Sequence, residues 1–310
     1  MSISDTKKIV PASLVEEILG LKEARRAVLL AHNYQLGEVQ DIADFVGDSL
    51  ELSRQAAATE AEVIVFCGVK FMAETAKILS PEKTVLLPDL QAGCPLCDMA
   101  TAEEVRARKA SLPGVPVVSY VNTTADVKAE SDICCTSSNA VKVVESLPQE
   151  EILFLPDRNL GSWTAEQTGK RLIIWDGYCI THQRILSEHI LGLKEKYPDA
   201  EVVVHPECTP EVRRLANAVR STSGILRYAR ESSASTIIVG TEIGILHRLK
   251  KENPEKVFLA PSALPVCPNM KRITLEKVLW SLEEMVYPIE IPEEIRVPAK
   301  RAIDRMLALP

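Results

Sequence analysis

The chain has 310 residues, 46% of them hydrophobic and 25% charged, with a net charge of −7 and a pI near 5.5. That length allows two or three domains, and the composition is that of an ordinary soluble globular protein. The acidic balance excludes a nucleic-acid binder that neutralises phosphates with Lys and Arg, and a surface that docks on anionic membranes.

The first residues, MSISDTKKIVPAS, hold no apolar signal core, and the longest apolar runs are far below the ~18 residues of a membrane span. A cytoplasmic protein is expected, with neither membrane nor nucleic acid among its partners. From there the chain repeats one pattern three times. ILGLKE (18–23) is predicted to start a helix and leads into the β-rich run AVLLAHNY (27–34). FVGDS (45–49), VIVFCGVK (63–70) and TVLLPD (84–89) follow as second, third and fourth strands, with helical stretches such as LELSRQAAA between them. The helical stretch TAEEVRARKA (101–110) opens a second copy, with strands VPVVSYVN (115–122), ICCTSSN (133–139), ILFLPDRN (152–159) and RLIIWD (171–176). A letter-for-letter second ILGLKE (190–195) opens the third, with EVVVHPE (201–207), AVRSTSG (218–224), TIIVGTEIG (236–244) and KVFLAPS (256–262).

Continuous apolar runs of four to six residues suit parallel strands buried on both faces. Strands alternating with helices imply parallel sheets joined by right-handed crossovers. The predicted fold is therefore α/β: three homologous small parallel-sheet domains around a pseudo-threefold axis, with a central active site. The first spans 1–100 with the N-terminal helix, the second 101–185 and the third 186–270. In 271–310, ITLEKVLWSLEEM and PEEIRVPAKRAIDRMLAL form a helical segment expected to pack on the outside with the N-terminal helix.

Eight cysteines in a cytoplasmic chain point to metal ligation or catalysis rather than a disulfide framework. One follows the fourth strand of every unit: Cys94 in LLPDLQAGC, Cys179 in IIWDGYC and Cys267 in FLAPSALPVC. Ligands bind beyond the carboxyl ends of parallel strands, so three thiols there converge around a pseudo-threefold axis. Several options stay open. Zinc with three cysteines usually takes a fourth protein ligand, commonly histidine. An electron-carrying cluster usually has four cysteines. Three widely spaced cysteines also fit a four-iron, four-sulfur cluster with one open iron, able to bind a substrate oxygen or nitrogen as a Lewis acid. The bland alternative is three small buried hydrophobes. Cys67, Cys134 and Cys135 fall inside strands and read as core, and Cys208 follows HPE. Cys97 forms CPLC with Cys94, which mimics a redox pair. The repeat register nevertheless selects Cys94 and leaves Cys97 near the metal rather than bound to it.

The first strand ends carry His32 and Tyr34, then Tyr120 and Asn122, then His205 and Glu207. The second strand ends carry Ser49, Ser137 and Thr222. Hydroxyls there fit helix N-caps, whose free amides also make anion sites. Such termini favour a substrate rich in carboxylate or phosphate. Glu207 beside His205 supplies a general acid/base pair. Two further readings remain: another cluster-dependent hydro-lyase acting on a hydroxy acid, and a non-enzymatic iron or redox sensor.

Taken together, AHNYQ (31–35), GDSLELS (47–53), YVNTTA (120–125), TSSNAV (136–141), LPDRNLG (155–161), GYCITHQ (177–183), HPEC (205–208), STSG (221–224) and CPNMKRIT (267–274) resemble the quinolinate synthase family of bacterial NAD biosynthesis. These motifs run over nearly the whole chain in the family's order; each is weak alone and the set is specific. The resemblance implies a triangle of three homologous α/β domains around an oxygen-sensitive 4Fe-4S cluster. It implies the condensation of iminoaspartate with dihydroxyacetone phosphate to quinolinate, phosphate and two waters, with iminoaspartate received from an L-aspartate oxidase or dehydrogenase. Matched position by position, it implies Cys94, Cys179 and Cys267 as ligands of a cluster with one open iron. His32 and Ser49 match residues that hold substrate carboxylate or phosphate, and Tyr34 a tyrosine tied to isomerisation and dehydration. Tyr120, Asn122, Ser137, His205 and Thr222 match further pocket residues, and Glu207 the acid/base. One position departs: Cys97 stands where the family often has alanine, which raises a regulatory disulfide with Cys94 that would dismantle the cluster.

Overall fold

In the computed structural model, which describes residues 11–309, the strands form three separate four-stranded sheets. The first sheet holds β1 (Ala27–His32), β2 (Phe45–Gly47), β3 (Val63–Cys67) and β4 (Thr84–Leu86) in the order β2-β1-β3-β4. The second holds β5 (Val117–Tyr120), β6 (Ile133–Cys135), β7 (Glu151–Leu155) and β8 (Arg171–Ile174) in the order β6-β5-β7-β8. The third holds β9 (Glu201–Val204), β10 (Ala218–Val219), β11 (Thr236–Gly240) and β12 (Val257–Leu259) in the order β10-β9-β11-β12. All pairs within them are parallel.

β3 shows why. Val63, Ile64, Val65, Phe66 and Cys67 are all buried, so both faces are covered and no polar side remains to alternate. Each such aliphatic or aromatic side chain contributes about 1.5–3 kcal/mol on burial. The register from Ala27↔Val63 to Ala31↔Cys67 sets the carboxyl ends of β1 and β3 side by side. In this strand order the connections reverse direction between the first and third strands, and the crevice beyond those ends is where ligands bind.

In the first unit α1 (Ala12–Ala24), α2 (Gly37–Ile42), α3 (Ser49–Ala58) and α4 (Lys70–Leu79) accompany the sheet. The second has α5 (Ala102–Ala110), α6 (Ala125–Ala129), α7 (Ala140–Ser146) and α8 (Arg158–Thr168). The third has α9 (Ser187–Lys196), α10 (Pro210–Arg213), α11 (Thr222–Glu231) and α12 (Ile245–Glu252). Sequence periodicity gives no sign of α2, α6 and α10, because six residues or fewer cannot repeat a 3.6-residue period.

The two ILGLKE copies do not start their helices. Both close them, as the second half of α1 and the last turns of α9. Ile18 and Ile190 are buried in each, while Leu19 and Leu191 are exposed.

α13 (Leu275–Glu284) packs against α1. α14 (Glu293–Leu307) does not join them. It lies on α6, β6 and α4, burying Ala299, Ala302, Ile303 and Met306, and Arg305 Nη1 donates to the Asp132 carbonyl at 2.6 Å. The last helix therefore ties the first unit to the second. Between these helices, Leu87 N–H donates to Tyr287 O (3.2 Å) and Ile289 N–H to Val85 O (2.8 Å). This short antiparallel stretch covers the open edge of β4. No described helix is long and apolar enough to cross a membrane.

Candidate active site

Beyond the strand ends, the three units face one cavity with about 640 Å³ of atom-free space, its mouth included. His32, Tyr34, Ser49 and Cys94 line it from the first unit, and Tyr120, Asn122, Ser137 and Cys179 from the second. His205, Glu207, Thr222 and Cys267 line it from the third. Every site residue predicted from the sequence reaches this cavity.

The three cysteines share one local frame. Each opens a turn that becomes a 3-10 helix three residues later, at Cys97–Met99, His182–Arg184 and Met270–Arg272. Asp98, Gln183 and Lys271 close these turns by donating to the Cys94, Cys179 and Cys267 carbonyls at 3.3, 3.0 and 3.3 Å. Burial pushes all three thiols up in pKa, while the backbone N–H groups of Cys97, His182 and Met270 face the sulfurs and oppose that shift. An N–H aimed at sulfur favours the thiolate, the form that ligates metal. All three are free thiols, one from each unit, and no fourth cysteine lines the cavity among the described residues. This donor set fits a cluster bound through three cysteines with one corner left for substrate. A second arrangement shares Cys179: its sulfur, a His182 ring nitrogen and a Glu207 oxygen lie within 4.8 Å of one another and suit a single ion. It leaves Cys94 and Cys267 out. Cys97 is buried and does not line the cavity.

The hydroxyls are not the N-caps the sequence suggested. Asp48 caps α3, its Oδ1 accepting from Leu50 N and Glu51 N at 3.0 Å each, and Ser221 caps α11 by accepting from Gly224 N at 3.2 Å. Ser49 and Thr222 are the first residues inside those helices, and Ser137 sits two residues before Asn139, which precedes α7. At α3 and α11, capping by the preceding residue leaves the Ser49 and Thr222 hydroxyls to the cavity. Asp48 Oδ2 also accepts from Ser138 and Ser223, both at 2.6 Å, so one carboxylate ties the helix starts of all three units.

Sequence reasoning missed His182 and Thr241. Glu207 Oε2 lies 3.0 Å from His182 Nδ1 and 3.2 Å from His205 Nδ1. His205 Nδ1 accepts the Glu207 amide proton (3.3 Å), so the proton shared with Oε2 comes from His182. The same hook recurs at the first unit, where His32 Nδ1 accepts from Tyr34 N at 3.2 Å. In both rings Nε2 carries the hydrogen, and in His205 it faces Ser137 Oγ at 3.1 Å. On its other side His182 Nε2 meets Thr241 Oγ1 at 2.8 Å. Thr241 Oγ1 meets Tyr34 Oη at 2.6 Å, and Tyr34 Oη meets Thr222 Oγ1 at 2.9 Å. One consistent polarity runs along this line: Thr222 donates to Tyr34, Tyr34 to Thr241, Thr241 to His182, and His182 to Glu207.

Electrostatics divide the roles. Burial alone would raise Glu207, but His182 beside it holds its carboxyl well below the usual range, so it is ionised. Burial lowers His32 to about 4 and lowers His205, so both are neutral donors. Burial raises the Tyr34 and Tyr120 phenols well above their ordinary value, so both keep their protons. Two buried acceptors in the cavity, Glu207 Oε1 and Asn122 Oδ1, have no hydrogen-bond partner. Buried polar atoms in this condition await a ligand.

Fold and site together define an enzyme of three like α/β units that works on a small molecule in the cavity between them. Comparison with known proteins narrows this. The chain belongs to the family described as quinolinate synthetase A protein, which matches residues 16–308. It is 59% identical to a quinolinate synthase of Desulforudis audaxviator (strain MP104C), over 100% of both chains. It is 58% identical to that of Geobacter sp. (strain M21), over 96% of this chain and 98% of that one. It is 60% identical to that of Dehalococcoides mccartyi (strain ATCC BAA-2266 / KCTC 15142 / 195), over 94% and 96% respectively. The resemblance read from the motifs is thereby borne out.

Proposed function

We propose that the chain condenses iminoaspartate with dihydroxyacetone phosphate to quinolinate, phosphate and two waters, with Cys94, Cys179 and Cys267 holding a 4Fe-4S cluster. In this reading an enzyme oxidising L-aspartate supplies the imine. When bound, the cluster supplies a Lewis-acidic iron with an open position that polarises a substrate oxygen or nitrogen.

The protein's own groups do the rest. Ser49 and Ser137, with the starts of α3 and α11, hold the carboxylate and phosphate groups through hydroxyls and helix amides, and Thr222 lines the same pocket with its hydroxyl turned to Tyr34. His32 adds a neutral Nε2–H donor. Asn122 Oδ1 accepts a substrate N–H or O–H. Ring formation needs a base to take protons from carbon and an acid to release hydroxyl as water. Glu207 Oε1 is the base and the Tyr34 phenol the acid. They sit at opposite ends of the Tyr34–Thr241–His182–Glu207 line, which holds the phenol and the carboxylate in a fixed relation across the cavity.

The single observation that carries this reading is Glu207 Oε1, buried and unpartnered in a cavity that also receives one thiol from each unit. The test is anaerobic reconstitution with iron and sulfide, followed by incubation with iminoaspartate and dihydroxyacetone phosphate. Quinolinate in the product mixture is expected. Bound iron with no quinolinate would favour another hydro-lyase, and stoichiometric zinc with no iron would reject the cluster.

A further inference from the structure

The three cysteine loops are fastened by the same backbone bond in every unit. The residue three places beyond the third strand donates its amide to the carbonyl two places before the cysteine. These bonds are Lys70 N to Ala92 O (2.8 Å), Arg158 N to Gly177 O (2.8 Å) and Ile243 N to Pro265 O (3.1 Å). One residue earlier the units differ. In the second unit that residue is Asp157, fully buried, whose Oδ2 accepts the amide proton of Cys179 at 3.0 Å. In the third it is Glu242, also fully buried, whose Oε1 accepts the amide proton of Cys267 at 3.0 Å. In the first it is Val69, a side chain that can accept nothing.

Both carboxylates are themselves pinned. Asp157 Oδ1 accepts from Leu160 N at 2.7 Å at the start of α8. Glu242 Oε2 accepts from Gly244 N at 2.6 Å, and Lys271 Nζ approaches Glu242 at 3.0 Å. A fixed, ionisable acceptor on a ligand's own amide sets where that ligand's sulfur can stand.

We propose that Asp157 and Glu242 are positioning residues that lock the Cys179 and Cys267 loops onto the ends of β7 and β11, and that Val69 at the matching place makes Cys94 the cluster ligand that lets go first. This rests on the reading of the three cysteines as ligands. It adds an order of release that sequence symmetry does not contain. The consequence is a cluster that opens from the first unit, where Cys94 is also the first residue of CPLC.

The test uses the anaerobically reconstituted full chain. An iron chelator is added together with a thiol-alkylating reagent, and modification at each cysteine is followed by mass spectrometry. Failure to bind any cluster would reject the ligand reading itself, before order comes into question. With the cluster bound, Cys94 is expected to be modified first. Glu242→Ala is expected to speed modification of Cys267 about tenfold and Asp157→Ala that of Cys179 about tenfold, the worth of one buried hydrogen bond, with the other two cysteines unchanged. Glu242→Gln and Asp157→Asn, each keeping one acceptor, fall between parent and alanine and serve where an alanine variant fails to fold. Release led by Cys179 or Cys267 in the parent, or variants that speed all three cysteines alike or none, would overturn the proposal.

Discussion

Tyr34 Oη and Thr241 Oγ1, on the first and third units, lie 2.6 Å apart, and through Thr241 the phenol reaches His182. Thr241→Val removes the hydroxyl that connects them and preserves the volume. Because a positioned proton donor contributes about 10²–10⁴-fold, kcat is expected to fall at least tenfold with KM nearly unchanged. Thr241→Ser should restore most of it. A KM effect with normal kcat would place Thr241 in binding instead.

Glu207→Gln keeps the shape of the carboxylate but cannot take a proton at Oε1. Turnover is expected to fall by about 10²–10⁴, with iron content unchanged because Glu207 is no cluster ligand in this account. Equal loss of iron and activity would instead support the mononuclear set of Cys179, His182 and Glu207.

His32 is 3% exposed and its pKa is lowered by burial from 6.5 to about 4. The unfolded chain therefore binds more protons than the folded one between those values. His32's contribution is fully present above pH 6.5 and is lost as pH falls toward 4, a change of about 3 kcal/mol. Urea unfolding across that window should show a flatter pH slope in His32→Gln than in the parent. Parallel slopes would show that the ring is not the group responsible.

Asp48 caps α3 and receives hydroxyls from the second and third units. Asp48→Ala loses a cap and leaves Ser138 and Ser223 without this acceptor. Roughly 2 kcal/mol of stability should go with it, read as a lower urea midpoint. Asp48→Asn, which keeps a capping oxygen, should cost less.

The architecture was readable because its signal is collective. Four apolar runs recur in each unit, the first of them running into His, Tyr or Asn where β1, β5 and β9 stop, and parallel pairing then placed their ends around one cavity. What stayed hidden depends on single positions that differ between units. The place three residues after each cysteine holds Cys97, His182 and Met270, so the repeat offers no common letter there, and CPLC draws attention to a redox pair instead. His182 acts through a carboxylate 25 positions away in sequence. Thr241 lies beside a strand end that reads as an ordinary turn, and Val69, Asp157 and Glu242 show equivalence only once β3, β7 and β11 are superposed in mind. Hydroxyls near helix starts looked like caps, because sequence alone does not fix which of two adjacent residues lies outside the first turn.

The central claim is that three thiols, one donated by each unit, hold a single iron–sulfur cluster. It is tested most directly by iron and sulfide analysis of the anaerobically reconstituted parent beside Cys94→Ala, Cys179→Ala, Cys267→Ala and Cys97→Ala. The account predicts about four irons per chain in the parent, by the stoichiometry of the cluster, the same in Cys97→Ala, and loss of the intact cluster in each of the other three. A full complement of iron surviving the removal of Cys94, Cys179 or Cys267 would contradict it.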